Sequence, residues 1–362
     1  MTHPHWLPSD FLLLRDRPVR QPLRKWAEQI RRALTAQAAH DPPDTRAICS
    51  LINLAALIEA SRGDRTNARA ICTTQVIWLA GLLEKGLPRG DALPLALQPW
   101  INLGRLLRVE ARTAEALDHF RLAHDLLARH PVSIGPLVVE GSDYTAILER
   151  EESSSATLWN IYTLDCLKTY FRAGAFEEAL RFASRLRETG PAQLDPFLTE
   201  AEVISFLRLG EHKRAYELCL SQTESDDTLH ALTFLLYQAA ALIGAGSFSA
   251  AKDMTAELTS FLVRDGLDWL PASTAMRYLD ALGQTCEDLG DEKAAGDSYG
   301  LGLERAIAAD DEPCQAGFLQ RMIQLQKRHA VNDPTEALKS TLDSLRAGSY
   351  YEVLRSTTRL DM

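Results

Sequence analysis

Long hydrophobic runs are missing from this 362-residue chain. No stretch approaches the ~18 apolar residues that cross a bilayer, which argues against an integral membrane protein. Near the N-terminus, Phe11-Leu12-Leu13-Leu14 is too short for a secretory core and is flanked by Asp10 and Arg15. Clustered cysteines are missing too. Six stand alone, at 49, 72, 166, 219, 286 and 314, and none forms C-x-x-C. Zinc frameworks need closer ligand spacing. The thiols are expected to be small core residues in a reducing compartment, and the protein is expected in the cytoplasm. Phosphate-loop and nucleophile-elbow patterns are also absent. Gly300-Leu301-Gly302 is expected inside a helix, not after a strand, so it is no dinucleotide fingerprint. His119, His124 and His130 follow at intervals of five and six, which do not place them on one helical face. Glu110 and Glu115 form only the sort of carboxylate pair that any helical surface carries. No catalytic residue, cofactor or metal is therefore expected, and a non-enzymatic role is.

What is present is a spacing. Trp100, Leu103, Gly104 and Leu107 fall at i, i+3, i+4 and i+7, one face of a helix. A polar turn around Ala111-Arg112-Thr113 follows. Ala116, Phe120 and Ala123 then repeat the interval on a second helix. Small residues allow the helices to approach, and Phe120 fills the space between them. This W-x2-L-G, then A-x3-F-x2-A, resembles the tetratricopeptide repeat. The resemblance implies an all-α, right-handed solenoid of about six helix pairs with capping helices at both ends. One such unit cannot bury its own apolar faces, so neighbours are expected.

The neighbours share one mark: a glycine, then an alanine five residues on. Gly63 goes with Ala68, Gly174 with Ala179, Gly210 with Ala215, Gly246 with Ala251 and Gly290 with Ala295. Glycine ends a helix in the left-handed conformation without a Cβ penalty. In the best copy Ala111 takes that place, a departure from the pattern. Steps of 36 residues separate Ala179, Ala215 and Ala251, and a step of 44 leads to Ala295, against about 34 in the family. Leu282-Gly283 with Ala295 and Tyr299 repeats the Leu-Gly and Ala-x3-aromatic elements, and Thr163, Cys166, Leu167 and Tyr170 open the third copy.

The chain thus divides into an N-terminal arm and basic capping helix (1–46), a repeat region (47–307) with an insertion at about 130–156, and C-terminal capping helices (308–362). The insertion carries Pro131, Gly135, Pro136, Gly141 and several glutamates, with Val138 and Val139 suited to a short extended piece. Two readings apply to it: a flap that gates the groove, or an acidic loop without fixed structure. Asn332-Asp333-Pro334 signals a last helix with Leu338, Leu342 and Leu345 on its apolar face.

Charge is uneven. Residues 1–130 hold 18 Lys and Arg against 13 Asp and Glu, whereas the rest hold 21 against 36. The net charge of −10 argues against general nucleic-acid binding. In the family the first helix of each pair lines the concave groove. Carried over from the matched apolar positions, Asn102, Arg105 and Arg108 of the second pair face inward, with Lys168 and Arg172 of the third and Arg208 of the fourth. The sixth offers Asp280, Glu287 and Asp288. Guanidinium groups in a sheltered groove suit carboxylates, so a protein or peptide partner with an acidic or carboxylate-bearing segment is expected, held by a scaffold or adaptor. The pattern departs from the family's carboxylate clamp. A peptide- or ligand-sensing regulator, and an enzyme or accessory subunit of a biosynthetic or secretion complex, are the alternatives. Homo-oligomers are compatible with this reading.

Overall fold

Short polar residues open the helices and left-handed residues close them. The computed structural model describes residues 12–13, 23–40, 44–149, 154–223, 227–265, 267 and 269–329. These form helices α1 (Leu23–Ala38), α2 (Thr45–Ser61), α3 (Arg65–Glu84), α4 (Arg89–Val109) and α5 (Thr113–Leu127). After a hairpin of β1 (Val132–Ile134) and β2 (Leu137–Val139) come α6 (Asp143–Leu148), α7 (Ser155–Asn160), α8 (Cys166–Arg172) and α9 (Phe176–Thr189). A π-helical turn, Ile161–Asp165, joins α7 to α8. Then follow α10 (Asp195–Leu209), α11 (His212–Leu220), α12 (Thr228–Gly244), α13 (Phe248–Asp265), α14 (Ala272–Asp288), α15 (Glu292–Ala308) and α16 (Glu312–His329). Asp44, Asp64, Asp227 and Asp291 each cap a helix start by accepting a first-turn amide hydrogen.

The described residues form two compact units, 23–201 in one and 202–329 with 12–13 in the other, divided inside α10. In the first unit α1 packs on α2, α2 on α3, α3 on α4, α4 on α5, α5 on α7 and α8, and α8 on α9, while α2 also reaches α4. In the second, α11 to α16 pack each on the next, with further contacts from α12 to α14 and α13 to α15. Packing on sequence neighbours is what a helical repeat produces. Among the described residues no helix is long and apolar enough to cross a membrane.

The six expected turns share one hydrogen-bond pattern. Gly63, Gly174, Gly210, Gly246 and Gly290 all have positive φ, and so does Ala111, at 60°. In each turn this residue donates its amide hydrogen to the carbonyl three back, and the next residue donates to the carbonyl five back. That is a Schellman closure. Four residues after that second donor, the alanine makes the first full-turn bond of the next helix. All six alanines, Ala68, Ala116, Ala179, Ala215, Ala251 and Ala295, are 0 % exposed. Ala111 has a Cβ and so pays about 1–2 kcal/mol for its left-handed backbone. The pattern itself accounts for why glycine stands at the other five.

In the second and sixth pairs, volumes compensate. A Cβ on Gly104 would lie 2.8 Å from Phe120 Cε1, and one on Gly283 would lie 2.3 Å from Tyr299 Cε1. Each glycine stands seven residues before its turn residue and each ring nine after it. The same two positions hold Ala56 and Cys72 in the first pair, which pack in one cluster with Leu103. In the third pair they hold Leu167 and Ala183, and in the fourth Val203 and Cys219, all buried. Glycine therefore stands with a ring and Leu167 with Ala183, whereas the first, fourth and fifth pairs set two small or medium residues together, the fifth with Ala239 and Thr255.

The insertion is built, not an unstructured acidic loop, over residues 131–149. Its strands pair antiparallel, Val132 opposite Val139 and Ile134 opposite Leu137, and bury these four side chains. The hairpin contacts α4 and α5, and α6 packs on α4. Arg89 ties it down: Nε and Nη2 donate to the Asp143 carboxylate at 2.9 and 2.6 Å, and Nη2 also donates to the Val138 carbonyl. Val138 itself points outward, 49 % exposed. The expected basic capping helix is α1, but Glu28 pairs with both Arg31 and Arg32 at 3.0 Å. Of the N-terminal arm only Leu12 and Leu13 are described, and both are buried. The expected last helix after Pro334 and the tail beyond it lie outside the described residues.

Candidate binding site

The helix that begins the third pair does not run evenly. Its π turn, Ile161–Asp165, inserts one residue into the helical spacing, a local widening that frequently accompanies functional sites. Asp165, the last residue of that turn, is 4 % exposed. A buried carboxylate must be paired or lose its charge. Here two arginines of α4 pair it. Arg105 Nη2 donates to Oδ2 at 2.9 Å, with Nε at 3.3 and 3.2 Å from the two oxygens. Arg108 Nη1 donates to Oδ1 at 2.7 Å. Arg105 and Arg108 are three apart, so one helical face presents both.

Electrostatics follow the geometry. Burial alone would raise the Asp165 carboxyl. The Arg105 and Arg108 charges, the Arg105 hydrogen bond and the Lys168 charge outweigh it and hold the group at about 2. Arg105 is raised although burial opposes it, because Asp165 supports its charge. Asn102, 4 % exposed, turns its Oδ1 to Arg105 Nη1 at 3.3 Å, and its Nδ2 makes no hydrogen bond among the described residues. Arg108 also lies over the Phe120 ring, 5.8 Å from its centroid. Arg172 Nη2 crosses from α8 to donate to the Val109 carbonyl at 3.2 Å.

The six residues singled out in the sequence are thus placed unequally. Asn102, Arg105 and Arg108 form one cluster with Lys168 nearby in the field of Asp165, and Arg172 adds a link between α8 and the end of α4. Arg105 is the member open to solvent, its side chain 42 % exposed, whereas Asn102 is buried and Arg108 nearly so. Arg208 belongs to α10 in the other unit, half-buried, with its pKa lowered by burial. Asp165 escaped the sequence reading. Its signal was a lone acidic residue between Thr163, Cys166 and Leu167, all of which are buried.

The other candidate groups do structural work. His119 stacks on Trp100 at 4.4 Å, and its Nδ1 lies 3.2 Å from the Trp100 carbonyl oxygen. His124 meets Tyr162 at 4.8 Å and Trp159 at 6.1 Å. Glu110 pairs with Arg69, and Glu115 with Arg112. Cys49, Cys72, Cys166, Cys219 and Cys286 are buried, and burial pushes the Cys49 and Cys72 thiols up to about 11. No family model matches this chain, and a search of curated proteins finds no matching sequence.

Proposed function

We propose that the chain is a tetratricopeptide-like, right-handed solenoid with capping helices, and that it serves as a non-catalytic scaffold or adaptor. Its partner is a protein or peptide that presents a carboxylate to the first-helix face of the second and third pairs. The observation that carries this reading is the Arg105–Asp165–Arg108 cluster. Asp165 holds the two guanidinium groups in a fixed geometry, and half-exposed Arg105 stays reachable from solvent. A pre-arranged guanidinium loses less entropy on gripping a carboxylate than a free one does. Asn102 Oδ1 accepts from Arg105 Nη1 and so helps to hold that guanidinium in place. Protein-binding surfaces of this type need no bound metal or cofactor.

The test is a peptide array in two forms, free C-terminal acid and C-terminal amide, probed with the full chain. The reading expects a set of sequences bound as acids and lost as amides. Those hits should weaken at least about tenfold in Arg105→Gln, since hydrogen bonds to charged groups contribute about 1.5–3 kcal/mol. Equal binding of acids and amides, or affinity unchanged in Arg105→Glu with Lys168→Glu, would show that the cluster is structural only.

A further inference from the structure

A groove between α2 and α4 lies on the same face of α4 as the Arg105 cluster. It encloses about 370 Å³. From α4 its wall takes Pro94, Leu95 and Gln98. Asn102 and Arg105 follow four and seven residues after Gln98, so one stripe of α4 runs from the groove to the guanidinium. From α2 the wall takes Asp44, Ser50 and Asn53. Arg46 and Asp91, also on the wall, are already engaged.

The lining is short of hydrogen-bond donors. Asn53 is 6 % exposed, and its Oδ1 meets no donor among the described residues. A buried polar atom is seldom left so. Pro94 and Pro99 lie inside α4. Neither has an amide hydrogen for the carbonyl four residues back, at Gly90 and Leu95. Asp44 accepts from the Ala47 amide through Oδ1 at 3.1 Å, and its side chain carries a negative charge at the exposed end of the wall. Unmet acceptors beside a carboxylate call for a ligand rich in donors. A lysine ammonium has three donors and no acceptor, and its apolar stem suits Pro94 and Leu95.

We infer that this groove takes a lysine side chain of the partner, its stem along Pro94 and Leu95 and its ammonium at Asn53, in the field of Asp44. This site rests on the proposed carboxylate contact at Arg105 and adds a second charge at a fixed spacing. The seven residues from Gln98 to Arg105 span about 10 Å of helix. An extended peptide covers that distance in about three residues. The partner therefore carries its lysine about three residues before a C-terminal carboxylate.

The probe is a positional-scanning library of hexapeptides, made as free acids and as amides, with binding to the full chain read by fluorescence anisotropy. Lysine about three positions before the terminal residue should bind at least about tenfold tighter than norleucine, which has the stem without the ammonium. That preference should appear in the acids alone. Asn53→Leu removes the unmet acceptor and should abolish the lysine preference without lowering the melting temperature. Ser50→Lys, at an exposed position of the same wall, should abolish it by supplying an ammonium from the chain itself. Both variants should keep the preference for acids over amides, since Arg105 is untouched. Acids favoured over amides, with no lysine preference at any position, would overturn the groove assignment and leave the Arg105 reading standing. Amides bound as well as acids would overturn both. Glutamine bound as well as lysine, or a lysine preference that survives both variants, would show that the groove does not select a cation.

Discussion

The second and sixth helical pairs use one register for opposite charges. Each has a glycine seven residues before its turn and an aromatic ring nine after it, Gly104 with Phe120 and Gly283 with Tyr299. Three residues before the turn stand Arg108 in one and Glu287 in the other. Arg108 lies over the face of the Phe120 ring. Glu287 accepts a hydrogen bond from the Tyr299 hydroxyl. A cation meets a ring face and a carboxylate meets a ring hydroxyl, so each charge is matched to the chemistry of its own ring. The comparison teaches that the glycine and the ring are packing features common to both pairs, whereas the charge at the third position is free to vary. The second pair goes on to engage a buried carboxylate of the third, Asp165.

The largest way to break the comparison is to remove that carboxylate. Asp165→Asn should cost about 3 kcal/mol in urea unfolding, the low end for a broken buried pair because Arg105 is partly exposed. In the sixth pair Gln284 stands where Arg105 does in the second and bonds Asp280 of its own helix, so Gln284→Ala should cost less, about 1 kcal/mol. Acid supplies a related test. The Asp165 carboxyl is held at about 2, below the ~3.9 of an unfolded aspartate. Its contribution is therefore complete above about pH 5 and disappears as pH falls toward 2, a loss of about 2–3 kcal/mol. In Asp165→Asn that part of the pH dependence should vanish.

Next in size is the packing shared by both pairs. Gly283→Ala should destabilise by about 2 kcal/mol, and Gly104→Ala by less, since the sixth-pair contact is the tighter, 2.3 against 2.8 Å. Restoring space with Tyr299→Leu in the Gly283→Ala background should recover part of the loss. If Gly283→Ala proves neutral in thermal unfolding, volume compensation does not hold these helices. The smallest effects test the charges. Tyr299→Phe should cost about 1 kcal/mol by leaving Glu287 without that donor. Arg108→Gln combines loss of the ring contact with loss of one Asp165 partner, and a double-mutant cycle with Phe120→Leu should assign about 0.5–1 kcal/mol to the ring contact alone.

Much of the helix layout was legible because turns are local. A residue in the left-handed conformation, the bonds that close the helix behind it and the buried alanine five residues on all lie within about ten residues. Ala111 was legible by its place alone, and its φ of 60° follows from the same closure. Asp165 was not legible, because its meaning depends on Arg105, sixty residues away. Nor was the π turn, which no residue spacing announces. In the insertion, Val138 and Val139 pointed to extended chain, but the hairpin's anchor is Arg89 gripping Asp143, a contact across 54 residues. Asn102 was read as facing a groove, and the structure buries it beneath Arg105.

The sequence by itself determined the rhythm of the molecule: where helices stop, which alanines go inside, and which glycine leaves room for which ring. These are short-range consequences of backbone sterics and helical period, and they need no knowledge of distant neighbours. Only the tertiary structure decided which charges meet. An arginine on a helix surface is the same residue in sequence whether it points to water or to a buried carboxylate. That choice depends on how neighbouring helices approach, and the free energy of a charge changes steeply with burial. The Arg105–Asp165–Arg108 cluster and the α2–α4 groove, where function is proposed, are both products of that second level.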